Sequence, residues 1–274
     1  MKLSCTDVMV PGKSLEEKAH NLKQWGYDGI AVFADYKSWN ESEIDRLKKI
    51  ESDTGVKVCE FVFIDPLYGH LMDPDPQTRR RAKAMYKEAV CVCREFSAIT
   101  EMEHDYGAQE PLPLFEPYLK MDSDEEKIFI ELIQEIAEEA AGSEAQVLIE
   151  PINRYETQYH TRISDCIEVL EKAGMPNTGI LADFFHLSIE EANIPESIKS
   201  AKGLIKHVHL GDSNRLLPGY GHTDWEACIR ALKEADFSGY MNLECAILGN
   251  PEEELKKTAR YLRNIFQCVM EEDT

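Results

Sequence analysis

The feature that most constrains this chain is an alternation of short apolar runs with amphipathic helical stretches, repeated eight times over 274 residues. The runs are Lys2–Cys5, Gly29–Ala34, Val56–Ile64, Ser97–Met102, Gln146–Ile149, Gly179–Leu181, Ile205–Leu210 and Tyr240–Leu243. Between them apolar residues recur at helical spacing: Leu15, Ala19, Leu22 and Trp25, then Ile44, Leu47 and Ile50, then Ala82, Met85, Ala89 and Phe96. Asp122–Ala141 is a long acidic helix with Ile128, Leu132 and Ile136 inward. Helices over Ile163–Leu170, near Ile198, over Trp225–Leu232 and over Leu255–Val269 complete the series. The starts are marked by a capping box at Ser14 and Glu17, by Asp224 before Trp225, and by Asn250, Pro251 and Glu253 before the last helix. Such repetition suits either a doubly wound α/β sheet or a (β/α)8 barrel, and the count of eight favours the barrel. No linker or low-complexity segment divides the chain, so the expectation is one domain over residues 1–274.

The balance of 30 Lys and Arg against 51 Asp and Glu gives a formal net charge of −21. That counts against nucleic acid or an anionic membrane surface as a partner, since both require a basic face. No apolar run approaches the ~18–20 residues of a spanning helix, and Thr6, Asp7, Pro11 and Lys13 interrupt any signal-like segment. The eight cysteines are scattered, with no CxxC pair, and several sit at apolar positions. The expectation is a reduced, cytoplasmic protein.

Four ionisable residues share one placement. Glu150 follows Val147-Leu-Ile, Asp183 follows Gly179-Ile-Leu-Ala, His209 comes late in Ile205-Lys-His-Val-His, and Glu244 follows Tyr240-Met-Asn-Leu. Each stands at the C-terminal end of its strand, and in a parallel barrel those ends converge on one mouth. Strands 5 to 8 would present them along one arc. Three carboxylates alone would repel one another and raise their own pKa values, a conflict that a divalent cation resolves. Three oxygen ligands and one imidazole suit Mn²⁺ or Mg²⁺, with Co²⁺ and Zn²⁺ as alternatives. Any one of the four taken alone reads more readily as a helix cap or the partner of a loop arginine. Their shared register favours the metal.

At this point the sequence resembles the xylose-isomerase-like barrel superfamily, and most closely the ketose 3-epimerases of the D-tagatose and D-psicose (allulose) type. The resemblance is carried by Ile149-Glu-Pro-Ile-Asn-Arg-Tyr-Glu-Thr157, Asp183-Phe-Phe-His-Leu-Ser-Ile-Glu-Glu191, His207-Val-His-Leu-Gly-Asp-Ser-Asn-Arg215, Pro218-Gly-Tyr-Gly-His-Thr-Asp-Trp225 and Leu243-Glu244. These motifs cover residues 149–244, and the N-terminal half matches poorly. The resemblance implies Glu150, Asp183, His209 and Glu244 as metal ligands, with Mn²⁺ first among the candidates. It implies Glu156, His186 and Arg215 as sugar contacts, and Glu150 and Glu244 as the two acid/bases that epimerise C3 of a free ketose through an enediolate. It also implies a homodimer or homotetramer.

Other residues read more blandly. His186 has the lesser alternative of a partner that orients a carboxylate. His207, two residues before His209 on the same strand face, points one layer deeper into the barrel. Arg154 either neutralises a nearby carboxylate or pairs at the rim, and His222 positions the helix that follows. Trp39, Tyr68 and Phe115 fall in loops after strands 2, 3 and 4, where aromatic rings cover a sugar or simply pack. The long loop Glu103–Lys120 has the placement of an active-site lid. The same machinery would serve an aldose–ketose or hydroxypyruvate-type isomerase. An endonuclease IV-type nuclease needs histidines from strands 3 and 4; Phe61–Asp65 has none, and His70 and His104 fall in loops. A sugar-binding barrel without turnover would be favoured by loss of Glu150 or Glu244, and both are present. No Gly-rich phosphate loop follows strands 7 or 8, which disfavours a phosphorylated substrate.

Overall fold

In the computed structural model, which describes residues 1–115 and 118–271, each of the eight apolar runs forms a strand. The strands are β1 Lys2–Thr6, β2 Gly29–Asp35, β3 Lys57–Ile64, β4 Ile99–Met102, β5 Gln146–Ile149, β6 Thr178–Asp183, β7 Ile205–His209 and β8 Tyr240–Leu243. All neighbours are parallel, and β8 pairs with β1 to close the barrel. The helices packed outside are α1 Leu15–Trp25, α2 Ser42–Thr54, α3 Pro76–Phe96, α4 Ser123–Ala137, α5 Ile163–Ala173, α6 Phe184–Glu190, α7 Ile194–Ser200, α8 Trp225–Glu234 and α9 Pro251–Glu271. The expected α/β barrel is therefore the observed one. Among the described residues no helix is long and apolar enough to cross a membrane. All eight cysteines are free thiols.

The helix starts follow the local chemistry, with one variation. Ser14 Oγ accepts from Glu17 N, but Glu17 Oε2 accepts from Lys13 N rather than from Ser14, so only half of the capping box forms. Asp224 accepts from Ala227 N and Asn250 from Glu253 N, as their positions predict. The acidic helix stops at Ala137 and tightens into a 3₁₀ turn over Glu138–Ala140, so it is shorter than the periodicity suggests. The β6–β7 connection carries an additional helix: Asp183 Oδ1 accepts from Phe185 N and opens α6 directly at the strand end.

The main core lies between the sheet and the helices. Inside the barrel, Ile99, Leu148 and Leu181 make a small apolar cluster of their own, each two residues before Glu101, Glu150 or Asp183. Because side chains alternate along a strand, that cluster forms the floor beneath the carboxylates. On the opposite side the filling is polar, with Asn242 Nδ2 donating to Thr6 Oγ1 at 2.8 Å and Ser4, Glu60 and His207 buried nearby.

Two register shifts aim the strands that carry these polar groups. Ile30 pairs with Val58 but Ala31 with Glu60, so Cys59 is an extra residue in β3. Ile180 pairs with Ile205 but Leu181 with His207, so Lys206 is extra in β7. The second bulge is held between two glycines. A Cβ on Gly239 would lie 1.9 Å from Lys206 O, and one on Gly179 would lie 2.6 Å from Lys206 Cγ. Any larger residue at either position would push β7 out of place.

Candidate active site

Asp183 and His209 are paired in register at the ends of β6 and β7, and Glu150 and Glu244 are the first residues beyond β5 and β8. The four meet at the C-terminal mouth, as their placement predicts. His209 is the centre: its Nδ1 lies 3.2 Å from Glu244 Oε2 and 3.8 Å from Glu150 Oε1. Nitrogen and oxygen atoms of Glu150, Asp183 and His209 fall within 4.8 Å of one another, as do those of Glu101, His209 and Glu244. His209 Nδ1, Asp183 Oδ2 and Glu244 Oε2 are buried and have no hydrogen-bond partner. Asp183 Oδ1 is spent on the cap of α6, which leaves Oδ2 facing the centre. Buried polar atoms are rarely left unpaired, and these orphaned atoms, in two groups of possible ligands that share His209, fit a divalent cation.

The electrostatics carry the same strain. Burial raises the pKa of Glu150 well above the ordinary carboxylate range, with Glu101 adding repulsion and His209 opposing it. Burial lifts Asp183 to about 7, against the pull of His209. Burial would lower His209, but Glu244, Glu60 and Glu150 outweigh it and hold the imidazole well above its usual value.

The residues expected to contact the substrate stand beside this centre. Arg215 Nη1 lies 3.5 Å from Glu156 Oε2 and Nη2 4.0 Å from Glu244 Oε1, with the guanidinium over the Phe185 ring. His186 Nε2 is 3.7 Å from Asp183 Oδ2, while its Nδ1 accepts from Asn153 N at 3.2 Å. Burial, Arg215 and His209 together keep His186 neutral. Asn153 Nδ2 also donates to Glu156 Oε1, so one side chain holds both Glu156 and His186. Arg154 forks onto buried Glu190, with Nε 2.9 Å from Oε1 and Nη2 3.0 Å from Oε2. It therefore anchors the Asn153–Glu156 turn rather than neutralising one of the four central residues. Asp212, fully buried, accepts from Ser213 N, Thr223 N, Gly219 N and Trp225 Nε1, and it fixes the turn that presents Arg215.

A cavity of about 330 Å³ opens onto the centre, lined by Tyr68, Glu101, Glu103, Tyr106, Glu150, His186, Arg215 and Glu244 among others. That is the size of a small-molecule site. Glu60 and Glu101 are groups that strand-end reasoning overlooks, whereas Glu103 stands one residue past β4 just as Glu150 stands past β5. Tyr68 Oη donates to Glu101 Oε1, and Glu101 Oε2 and Glu103 Oε2 have no partner. Burial, with Glu60 and Glu244 nearby, raises Glu101; burial lifts Glu103 to about 8. The available signal was an ionisable residue inside an apolar strand, in Val58-Cys-Glu-Phe-Val and Ile99-Thr-Glu-Met.

The other expectations divide. Tyr68 lines the cavity, whereas Trp39 packs edge-on against Phe61 and Phe63. Phe115 is 93% exposed and borders a separate hollow beside Arg154 and Gln158. His207 lies deeper, 3.2 Å from Glu60 Oε2, and His222 is an exposed loop residue beside Ser213. His70 pairs with Asp73, and His104 is buried against Phe129 and His160, away from the centre. Of the loop expected over the mouth, Glu103 and Tyr106 line the cavity and Gly107 N donates to Glu156 O, while Gln109–Phe115 border the separate hollow beside Arg154. Glu116 and Pro117 of that loop lie outside the described residues.

A closed parallel barrel with an acidic, histidine-centred mouth defines a class, and the sequence comparison places the chain within it. Residues 19–265 match the model of the xylose isomerase-like TIM barrel family, so the chain belongs to that family. It is 24% identical over 248 residues to a probable ketose 3-epimerase of Synechocystis sp., covering 89% of this chain and 82% of that protein. It is 25% identical over 255 residues to an L-ribulose 3-epimerase of Mesorhizobium japonicum, covering 92% and 82%. A D-allulose 3-epimerase of Methylomonas sp., solved in complex with D-allulose, shares the fold at a TM-score of 0.82 and 16% identity, covering 96% of both chains. These relatives support an enzyme of the epimerase and isomerase type acting in carbohydrate chemistry.

Proposed function

We propose that the protein inverts C3 of a free ketose, with Glu150 and Glu244 as the two acid/bases. The observation that carries this reading is that His209 Nδ1, Asp183 Oδ2 and Glu244 Oε2, in two ligand groups that share His209, are buried and unpartnered at the barrel mouth beside a sugar-sized cavity. Glu150, Asp183, His209 and Glu244 would hold a divalent cation, Mn²⁺ first and Mg²⁺, Co²⁺ or Zn²⁺ as substitutes. Bound there, the cation supplies positive charge opposite the oxygen on which the enediolate charge develops.

The remaining chemistry belongs to the chain. One glutamate takes the C3 proton as the C3–H electron pair moves into the C2–C3 bond and the carbonyl electrons move onto O2. The other glutamate returns a proton to the opposite face of C3 while the carbonyl re-forms, so no oxidant or reductant is consumed. Arg215, held by Glu156, adds charge beside the developing oxyanion. Neutral His186 is free to donate from Nε2 to a substrate hydroxyl, since Nδ1 accepts from Asn153. We further infer that residues 1–274 act as one catalytic unit, cytoplasmic and assembled as a homodimer or homotetramer, as in the ketose 3-epimerases that the motifs resemble.

The test is NMR of Mn²⁺-loaded protein with D-fructose, D-tagatose and L-ribulose in D₂O. Deuterium at C3 together with the C3 epimer supports the reading. Label at C1, or an aldose product, replaces it with an isomerase using the same two glutamates. No exchange with any of the three ketoses contradicts the free-ketose assignment.

A further inference from the structure

Glu60 is a fully buried carboxyl group inside the barrel that the proposed reaction does not use. It lies in mid-strand on β3, across the barrel from β7, and is 0% exposed. Both of its oxygens face imidazoles. His209 Nε2 is 3.1 Å from Oε1 and 3.2 Å from Oε2, and His207 Nε2 is 3.2 Å from Oε2.

The placement depends on the two bulges. With Cys59 as the extra residue in β3, Glu60 shares a face with Ala31; without it Cys59 would take that position and Glu60 would turn to the other face. With Lys206 as the extra residue in β7, His207 and His209 face inward together. Two independent irregularities thus bring one carboxylate onto two histidines.

An imidazole has one proton to place when neutral, and the hydrogen bond at one nitrogen decides which lone pair the other nitrogen offers. Here Nε2 is committed to Glu60, while Nδ1 is unpartnered and faces Glu150 and Glu244. We propose that Glu60 is the positioning residue of the metal centre: it fixes the His209 proton on Nε2 and aims Nδ1 at the cation. This inference rests on the reading of His209 as a metal ligand. Outer carboxylates of this kind orient a ligating histidine and raise its basicity, and their loss typically costs 10–100-fold in metal affinity.

The experiment has two arms. Mn²⁺ binding is measured by EPR of the free ion for the wild type and for Glu60→Gln, with circular dichroism of the metal-free proteins as the folding control. The expected result is a Kd about 10–100-fold weaker in the variant. Binding within twofold of the wild type overturns the role of Glu60 while leaving the ligand set intact. Wild-type protein that binds no Mn²⁺ overturns both. The second arm needs no substitution: ¹⁵N NMR of Mg²⁺-loaded wild type should find the His209 proton on Nε2. A proton on Nδ1 contradicts the proposal even if Glu60→Gln fails to fold.

Discussion

The two halves of the barrel mouth carry their charge by different means. On the β5–β8 side, Glu150, Asp183, His209 and Glu244 stand at or just beyond the strand ends, where the chain leaves the sheet. On the β3–β4 side, Glu60 and Glu101 sit within their strands, with Glu103 one residue past the end of β4. A residue just beyond a strand end is brought to the mouth by topology, although His209, the last residue of β7, also relies on the bulge at Lys206. A residue inside a strand reaches the centre only if register and alternation bring it there, and for Glu60 that requires the bulge at Cys59. Under the proposed reaction the β5–β8 side would carry the proton transfer, and the β3–β4 side would shape the pocket and steady His209.

The largest expected effect sits on the first side. Glu244→Gln should keep the fold and lower kcat roughly 10³-fold, within the range ascribed to a positioned acid or base. A wild-type rate would remove Glu244 from the chemistry. Arg154→Ala should lower stability by about 3–5 kcal/mol, the cost of stranding a buried charge, because Glu190 is fully buried and would lose its forked partner. Denaturant unfolding measures this, and a change below 1 kcal/mol would show that Glu190 finds another partner or protonates.

Glu101→Gln probes the other side. Glu101 lines the cavity and accepts from Tyr68, so its loss should raise KM about tenfold with kcat little changed, the pattern of uniform binding. A collapse of kcat at unchanged KM would erase the distinction between the halves.

The smallest effect is one of pH. Between pH 7 and 9 the groups that matter in metal-free protein have folded pKa values raised above their unfolded ones. They include Glu103 at about 8, Asp183 at about 7, and Glu101, Glu150 and His209. Over that range the folded state holds protons that the unfolded state has released, so stability falls as pH rises. Buried His104 and His186, whose pKa values are lowered by burial, oppose this only below about pH 6.5. Melts of EDTA-treated protein should therefore show Tm declining from pH 7 to 9, and Mn²⁺ should flatten the decline. A flat or rising Tm without metal would contradict the charge assignment.

The same contrast explains what was legible from the sequence. The eight strands were readable from apolar runs bounded by helix caps, and Glu150, Asp183, His209 and Glu244 from their position at strand ends. Glu156, His186 and Arg215 came through motif resemblance: the loop turns that hold Glu156 and Arg215 have no strand-end signature, and the Asn153–His186 and Arg154–Glu190 contacts join segments more than 30 residues apart. Glu60 and Glu101 were not legible as site residues, since no local pattern encodes a bulge in a neighbouring strand pair or says which face an interior glutamate takes. Helix α6 was missed for a related reason: the carboxylate of Asp183 that reads as a ligand also serves as its cap.

The measurement closest to the central claim is anomalous diffraction at the manganese edge from crystals of the Mn²⁺-loaded protein. A single peak enclosed by Glu150, Asp183, His209 Nδ1 and Glu244, at the floor of the cavity that Tyr68 and Arg215 border, is the predicted result. A peak seated on Glu101 and Glu103 without His209, or no peak in the barrel mouth, would contradict it.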